Sequence, residues 1–171
     1  MNSEFKSDQY DAIYASGGRS GIYELPYRHS WNFPLFKRVT QLLKASAATS
    51  VLEVGCGTGG LAHMVTEKTR VSYRGFDFSP VAVERARARL KGSQEFFVGD
   101  ARLPESYAVP AEAIVCTEVL EHIQDDLEVI QNWPWLLSGL LRRHFTPLSN
   151  GKAAELELCS VYSWRKRQNE V

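Results

Sequence analysis

A cluster of glycines directly behind a short apolar run constrains the fold of this chain most strongly. The run Val51-Leu52-Glu53-Val54 is followed by Gly-Cys-Gly-Thr-Gly-Gly at 55–60, and apolar residues at helical spacing follow from Leu61. A strand that turns through glycines into a helix brings the backbone close to a ligand, at a helix N-terminus with free N–H groups. The segment therefore predicts a ligand-binding turn in a βα unit. The glycines also fit G-x-G-x-x-G, so they alone do not separate a dinucleotide fold from its relatives.

Strands and helices alternate after this turn. Apolar runs at 71–76, 96–98 and 113–116 predict three further strands. Ser79-Pro80 predicts a helix start, with serine as the cap and proline at the first helical position, and that helix ends before Gly92. This alternation favours right-handed βαβ units, so we expect an α/β fold with a mostly parallel sheet.

Acidic residues follow three of the predicted strands. Glu53 lies at the end of the first strand, Asp77 ends the second about 20 residues beyond the first glycine, and Asp100 follows the third. An acid in the position of Asp77 accepts both hydroxyls of a ribose. Because open α/β folds bind ligands at the carboxyl ends of their strands, these acids predict a site at that edge of the sheet.

Four motifs together resemble the class I (Rossmann-like) S-adenosylmethionine-dependent methyltransferases. They are VLEVGCGTGG at 51–60, GFDFSP at 75–80, VGDA at 98–101 and TEVLEHI at 117–123. The last motif carries most weight, because nicotinamide dehydrogenases do not usually have it after the fourth strand. The resemblance covers roughly residues 50–125 and implies a doubly wound Rossmann-like sheet with S-adenosylmethionine as methyl donor.

The resemblance also implies a set of cofactor-binding residues at the strand ends: Glu53, Gly55, Cys56, Gly57, Gly59, Asp77, Phe78, Asp100, Ala101, Glu118 and Val119. By that resemblance, residues 53–59 surround the methionine part of the cofactor. Asp77 holds the ribose hydroxyls, Phe78 lies against the adenine, and Asp100 accepts from the adenine amino group beside the backbone of Ala101. Residues 118–119 close the pocket near the sulfonium. Carboxylates suit this cofactor, since they offset its positive sulfur and its ammonium group.

The catalytic residues stay open at this stage. Methyl transfer needs position and electrostatics from the protein rather than a nucleophilic side chain. His122 is a candidate base because its intrinsic pKa lies near neutrality. The alternative is that His122 begins a helix and makes a local hydrogen bond, and Glu118 is open between cofactor and acceptor contact. No metal site is expected.

Composition limits the binding partners and the cellular compartment that we expect for this protein. The 20 basic and 20 acidic residues balance, which argues against a protein that binds nucleic acid by bulk electrostatics and favours a small-molecule acceptor. We interpret Arg85, Arg87, Arg89 and Lys91 as a solvated helix face, with nucleic-acid contact as the alternative. The three cysteines form no CxxC pair, and we expect Cys56 and Cys116 to be small buried thiols. With no signal-like or membrane-spanning apolar stretch, we expect a cytoplasmic protein.

Two parts flank the motifs. Residues 1–48 are interpreted as a loop-rich arm that ends in a helix near 33–45. Five of its residues form either a lid or a packing surface: Tyr14, Tyr23, Tyr27, Arg28 and His29. Residues 49–171 form the methyltransferase domain, which departs from the family after about 125.

The departure predicts a sheet shortened at its C-terminal strands. We expect a helix at 126–130, a turn at 148–152 and one strand at 156–162, and the apolar run 133–145 predicts self-association. Two alternatives stay open. The departure favours a non-catalytic S-adenosylmethionine-binding or scaffold protein, and the G-x-G-x-x-G pattern of the glycines favours a nicotinamide-dependent oxidoreductase.

Overall fold

A computed structural model describes residues 7–18, 21, 23, 25–108, 110–123, 129–130, 142–145 and 160–163. The helices are α1 (Ser7–Ala15), α2 (Phe33–Ser46), α3 (Gly60–Lys68) and α4 (Pro80–Arg89). The strands are β1 (Ser50–Val54), β2 (Ser72–Asp77), β3 (Glu95–Val98), β4 (Ala113–Cys116), β5 (Arg142–Phe145) and β6 (Ser160–Ser163). Short 3-10 turns cover Tyr27–His29, Pro104–Tyr107 and Leu120–His122.

The described strands form one sheet in the order β3-β2-β1-β4-β6-β5. Strands β3, β2, β1 and β4 are parallel, β6 runs antiparallel to β4, and β5 runs antiparallel to β6. The chain winds from β1 outward to β3 and then crosses back to β4 on the other side. This confirms the predicted Rossmann-like α/β fold.

Local sequence explains where α4 begins. The hydroxyl of Ser79 accepts a hydrogen bond from the N–H of Ala82 at 3.1 Å, and a proline follows at the first helical position. The apolar face of α4, which includes Val83 and Ala86, is buried against the sheet. The predicted cap, proline and buried face are therefore all confirmed.

The sheet is covered on both faces. Alternate residues of the parallel strands join one of two hydrophobic clusters, since side chains alternate along a strand. Val51 and Val115 pack with α2, α3 and α4, whereas Leu52 and Ile114 pack with residues of the loops and turns on the other face. Burial on both faces explains why the two central parallel strands, β1 and β4, are almost continuously apolar.

The structure departs from expectation in the arm and in the late segment. The arm begins with helix α1, which the loop-rich interpretation missed. His122 ends a 3-10 turn rather than beginning a helix. Strand β5 lies within the apolar run 133–145, where no strand was predicted, and β6 at 160–163 overlaps the predicted strand 156–162. The expected turn at 148–152 and most of the expected helix at 126–130 lie outside the described residues.

Candidate functional site

The site lies where the strand order reverses. After β1 the chain continues toward one edge of the sheet, and after β4 it continues toward the other edge. A crevice therefore opens at the carboxyl ends of these two neighbouring strands. The two loops meet at one point: a Cβ built on Gly55 would lie only 2.2 Å from Cγ2 of Val119. Gly55 also has a φ of +70°, so a side chain there is excluded by both space and backbone conformation.

The glycine loop is tied to the sheet through Cys56. The Cys56 N–H donates to the carbonyl of Phe76 at 2.9 Å, and the Cys56 side chain is buried in the helix-covered core. Burial raises the pKa of the Cys56 thiol well above its usual range. Cys116 is also buried and outside any disulfide, so both cysteines lie as expected from the sequence. Any ligand contact of Cys56 is therefore left to its backbone.

Glu53 is buried in β1 and bonded to a tyrosine. Its side chain faces the neighbouring strand, where the Tyr73 hydroxyl donates to Oε2 of Glu53 at 2.9 Å. Burial raises the pKa of Glu53 to about 8, and the hydrogen bond from Tyr73 opposes that rise. The carboxyl group is thus held in place by its neighbour across the sheet.

Asp77 ties the glycine loop to the end of β2. Its Oδ2 accepts from the N–H of Gly57 at 2.9 Å, and its Oδ1 accepts from the N–H of Ser79 at 3.0 Å. Burial raises the pKa of Asp77, these backbone hydrogen bonds oppose that rise, and the charge of Asp11 adds to it. Each carboxylate oxygen has a second lone pair, so the group retains acceptor capacity for a ligand.

Asp100 lies beyond β3 and is held by its own neighbour. Arg102 donates to it from its backbone N–H at 2.9 Å and from its guanidinium, forming an ion pair of 2.6 Å. The side-chain hydrogen bond from Arg102 lowers the pKa of Asp100, so the group is ionised at neutral pH. Ala101 is buried, and its carbonyl accepts from the Tyr107 hydroxyl at 2.8 Å.

The loop after β4 presents two polar side chains. Glu118 adopts a φ of +57°, a left-handed conformation that is uncommon outside glycine, and its side chain is exposed. Strained backbone of this kind clusters at functional sites. His122 is exposed at the end of the next turn, with its ring centroid 6.3 Å from that of Tyr10.

Helix α1 covers the crevice; the sequence named Tyr14 as part of a possible lid but missed the helix and Tyr10. The ring of Tyr10 contacts Phe78 edge-on with centroids 5.0 Å apart. The hydroxyl of Tyr14 lies 3.5 Å from where a Cβ on Gly57 would stand, and burial raises the pKa of Tyr14. Asp11 accepts a hydrogen bond from the Ser79 hydroxyl. Tyr10 and Tyr14 at i and i+4 were the available signal, since that spacing puts both rings on one helix face.

The five arm residues named in the sequence do not act together. Tyr14 and Tyr23 contact each other near the glycine loop, with ring centroids 5.3 Å apart. Tyr27 and Arg28 instead bond to Glu67 at the far end of α3. His29 is exposed. The arm therefore contacts the site through α1 and packs on the core through its later part.

Two arginines of α4 hold the arm by its backbone. Arg85 donates to the carbonyl of Ala15 at 2.9 Å, and Arg89 donates to the carbonyls of Leu25 and Tyr23. The sequence interpretation of this helix face as merely solvated is thus wrong for both residues. Arg85 thus holds the last residue of α1 to α4, and Arg89 holds the later part of the arm.

The site is rich in carboxyl groups. Among the described residues, no cluster of three or more His, Cys, Asp or Glu side chains is arranged to hold a metal ion. None of the described helices is long and apolar enough to cross a bilayer. A glycine loop beside Glu53, Asp77 and Glu118 suits a ligand that combines polar groups with positive charge.

Comparison with protein families matches the region that holds this site. A family model described as a methyltransferase domain matches residues 52–138, about half of the chain. Phosphoethanolamine N-methyltransferase 1 of Triticum aestivum is 30% identical over 146 residues, which cover 81% of this chain and 27% of that protein. Ubiquinone biosynthesis O-methyltransferase of Histophilus somni is 30% identical over 120 residues, covering 64% and 49%. The chain thus spans about half or less of the length of these curated relatives.

Solved structures share the fold. The magnesium protoporphyrin IX methyltransferase of Synechocystis PCC 6803, crystallised with SAH bound, aligns with a TM-score of 0.51 at 21% identity, covering 69% of this chain and 57% of that one. The [4+2]-cyclase SpnF aligns with a TM-score of 0.54 at 24% identity, covering 74% and 53%. A methyltransferase and a cyclase therefore share this architecture.

Proposed function

This chain belongs to the methyltransferase domain family, and we propose that it binds S-adenosylmethionine and transfers the methyl group to a small-molecule acceptor. The observation that carries the proposal is the crevice between β1 and β4. There the glycine loop, buried Asp77 and the strained Glu118 come together at one edge of the sheet.

The residues present fit this cofactor. Its ammonium and sulfonium groups are cationic, and the site offers carboxyl groups at residues 53, 77 and 118. Its ribose carries two hydroxyls, and Asp77 is held by two backbone N–H groups with acceptor capacity to spare. Its adenine needs an acceptor for the amino group, and Asp100 is ionised beside Arg102. When bound, the cofactor supplies a methyl group activated by a sulfonium leaving group.

In this mechanism the protein positions and shields rather than attacks. Asp77 and the backbone of the glycine loop orient the bound cofactor, and Tyr10 and Tyr14 of α1 exclude water from the crevice. Alignment of two reactants removes roughly 7–11 kcal/mol of a barrier, which is the main contribution expected of such a site. His122 is the group we assign to accept a proton, at an imidazole nitrogen, from an acceptor that must lose one.

The acceptor is proposed to be a small molecule with a nucleophilic nitrogen or oxygen. The relatives named above are an N-methyltransferase and an O-methyltransferase, which supports these two atom types. The formal charge of zero gives no support to a nucleic-acid acceptor. We propose a reducing cytoplasm as the setting, because the two cysteines of the described residues, Cys56 and Cys116, are buried and outside any disulfide.

Calorimetry and a turnover assay test this function together. The protein should bind S-adenosylhomocysteine and S-adenosylmethionine and bind NAD far more weakly. Incubation with S-adenosylmethionine and a panel of small amines and phenols should then produce S-adenosylhomocysteine. Equal or tighter binding of NAD would overturn the assignment in favour of an oxidoreductase.

A non-catalytic cofactor-binding protein is the second candidate. The shared fold of the [4+2]-cyclase SpnF makes it relevant, since that fold is not confined to methyl transfer. Cofactor binding without any production of S-adenosylhomocysteine across the panel would favour this second function.

A further inference from the structure

Glu53 and Tyr73 form a buried pair across two parallel strands. Glu53 stands opposite Gly75 in the β1–β2 register, and Tyr73 lies two residues earlier on the same face of β2. The diagonal arrangement lets the phenol reach the carboxyl group at 2.9 Å. Both side chains are almost fully buried, with exposed fractions of 2%.

The groups that face this pair are acidic or neutral. Asp77 at the end of β2 raises the pKa of Glu53, and Cys56 in the glycine loop raises the pKa of Tyr73. Asp77 and Cys56 also raise the pKa of Tyr14 of α1. The adjacent position of β4 is apolar. In the described part of the chain, no basic side chain pairs with Glu53. An ionised Glu53 is therefore costly until a cation arrives.

We propose that Tyr73 is a positioning residue that holds the buried carboxyl group of Glu53, and that binding of the cationic cofactor at the glycine loop expels one proton from Glu53. This inference rests on the proposed function, because the cofactor supplies the cation. It adds a residue, Tyr73, that no motif of the sequence points to.

The step balances as a simple proton release. Before binding, Glu53 is a neutral carboxylic acid that accepts from the Tyr73 hydroxyl. On binding, the carboxyl O–H bond breaks, its electron pair stays on the carboxylate, and the proton passes to bulk water. The carboxylate then offsets the ammonium group of the cofactor. Tyr73 donates in both states and the cofactor is chemically unchanged.

The coupling has a distinct pH signature. Burial raises the pKa of Glu53 to about 8, so the release is expected below that pH and fades above it. The affinity for the cofactor should therefore improve as the pH rises toward 8. Deprotonation of the ligand's own amine has the opposite effect on affinity, because the ligand loses its positive charge as the pH rises.

The test is calorimetry with S-adenosylhomocysteine, whose ammonium group is the probe. Titrations near neutral pH in buffers of different ionisation enthalpy report the number of protons released on binding. The wild-type protein should release more protons than Glu53→Gln, which has no acid proton to lose. The difference between the two removes any proton uptake by the ligand itself.

Tyr73→Phe tests the positioning role. Because the hydrogen bond from Tyr73 holds the pKa of Glu53 down, its loss should extend proton release to higher pH. Each pKa unit gained should cost about tenfold in affinity at pH values where Glu53 starts protonated. Circular dichroism checks the fold of each variant.

Tyr27→Phe is the matched control. It removes another tyrosine-to-glutamate hydrogen bond, to Glu67 at the far end of α3, and should leave proton release unchanged. Equal release by the wild type and Glu53→Gln would overturn the inference, as would a Tyr73→Phe profile identical to the wild type. Failure of the wild type to bind S-adenosylhomocysteine is a different result, because it removes the proposed function as well.

Discussion

Asp77 joins the glycine loop, the end of β2 and the start of α4. It accepts one backbone hydrogen bond from Gly57 and one from Ser79, and the same serine bonds to Asp11 of α1. A single carboxylate thus organises the loop and also faces the crevice. A substitution there changes both the ligand contacts and the shape of the loop.

Asp77→Ala should weaken the binding of S-adenosylhomocysteine about tenfold or more, on the order of 1.5–3 kcal/mol, because charge-assisted hydrogen bonds are lost. Calorimetry measures the change. Glu112→Ala is the control, since Glu112 also accepts a backbone N–H, from Thr49 at 2.7 Å, but precedes β4 at the opposite edge of the sheet. An unchanged affinity in folded Asp77→Ala would exclude Asp77 from the site.

Gly57→Val should abolish cofactor binding while secondary structure is retained. Gly57 has a φ of +50°, and an added side chain would point toward the hydroxyl of Tyr14 at the mouth of the crevice. Gly21→Val controls for backbone strain alone, because Gly21 has a φ of +67° and nothing within 4 Å of an added Cβ. Normal binding by Gly57→Val would show that the loop faces another ligand or none.

The stability of the protein should depend on pH through Glu53. Its pKa is about 8 in the folded protein and 4.5 as the ordinary value, so the folded state holds its proton more tightly. Stability is therefore unaffected below about pH 4.5, falls as the pH rises toward 8 and is level above it.

Urea unfolding at pH 5 to 8 measures this effect. The wild type should lose stability relative to Glu53→Gln over this range, by on the order of a few kcal/mol. Parallel curves for the two proteins would mean that Glu53 titrates normally.

Helix α1 is the element whose position sets access to the crevice. It carries Tyr10 and Tyr14 over the site, and it is held through its last residue by Arg85 of α4. The next segment of the arm is held by Arg89. The described contacts therefore support a lid that two guanidinium groups attach to α4, in addition to the hydrogen bond between Ser79 and Asp11.

The double variant Arg85→Ala/Arg89→Ala should speed dissociation of S-adenosylhomocysteine and raise hydrogen exchange in 7–18. Arg87→Ala is the matched control, because Arg87 donates to the carbonyl of Phe96 rather than to the arm. Stopped-flow displacement and exchange mass spectrometry give the two readouts. If Arg87→Ala loosens the arm equally, the attachment is not carried by Arg85 and Arg89.

For the whole molecule, the sheet divides into two parts. Strands β1 to β4 are parallel and carry every proposed cofactor contact, whereas β5 and β6 extend the sheet beyond β4 in antiparallel pairing. The apolar run 133–145 precedes and includes β5, and most of it lies outside the described residues. We predict that cofactor binding depends on the first part alone.

The apolar run should make the protein self-associate or exchange hydrogen faster at 133–163 than at 50–125. Light scattering on an eluting peak and exchange mass spectrometry check this. Turnover of the acceptor panel by the isolated protein should therefore be measurable but slow, and a partner that completes the site should raise it. A monodisperse monomer with equal protection in both segments would contradict this prediction and favour full catalytic competence.

Much of the fold and part of the site could be predicted from the residues alone, because these features depend on local chemistry. The turn at 55–60, the cap at Ser79 with its proline, and strands β1 to β4 depend on near neighbours in the chain. The local sequence contains the apolar periodicity, the glycines that the turn requires and the side chain that caps the helix. The family motifs then located the candidate cofactor contacts, whose individual roles stay predictions.

The remaining features depend on contacts between residues far apart in the chain. Tyr73 reaches Glu53 only because β2 pairs with β1 in one register, and Tyr14 meets Gly57 only because α1 folds back over the crevice. No local pattern encodes such a pairing, since many registers and many positions for the arm are compatible with the same apolar period. The protonation of Glu53 and the cover over the site follow from that packing.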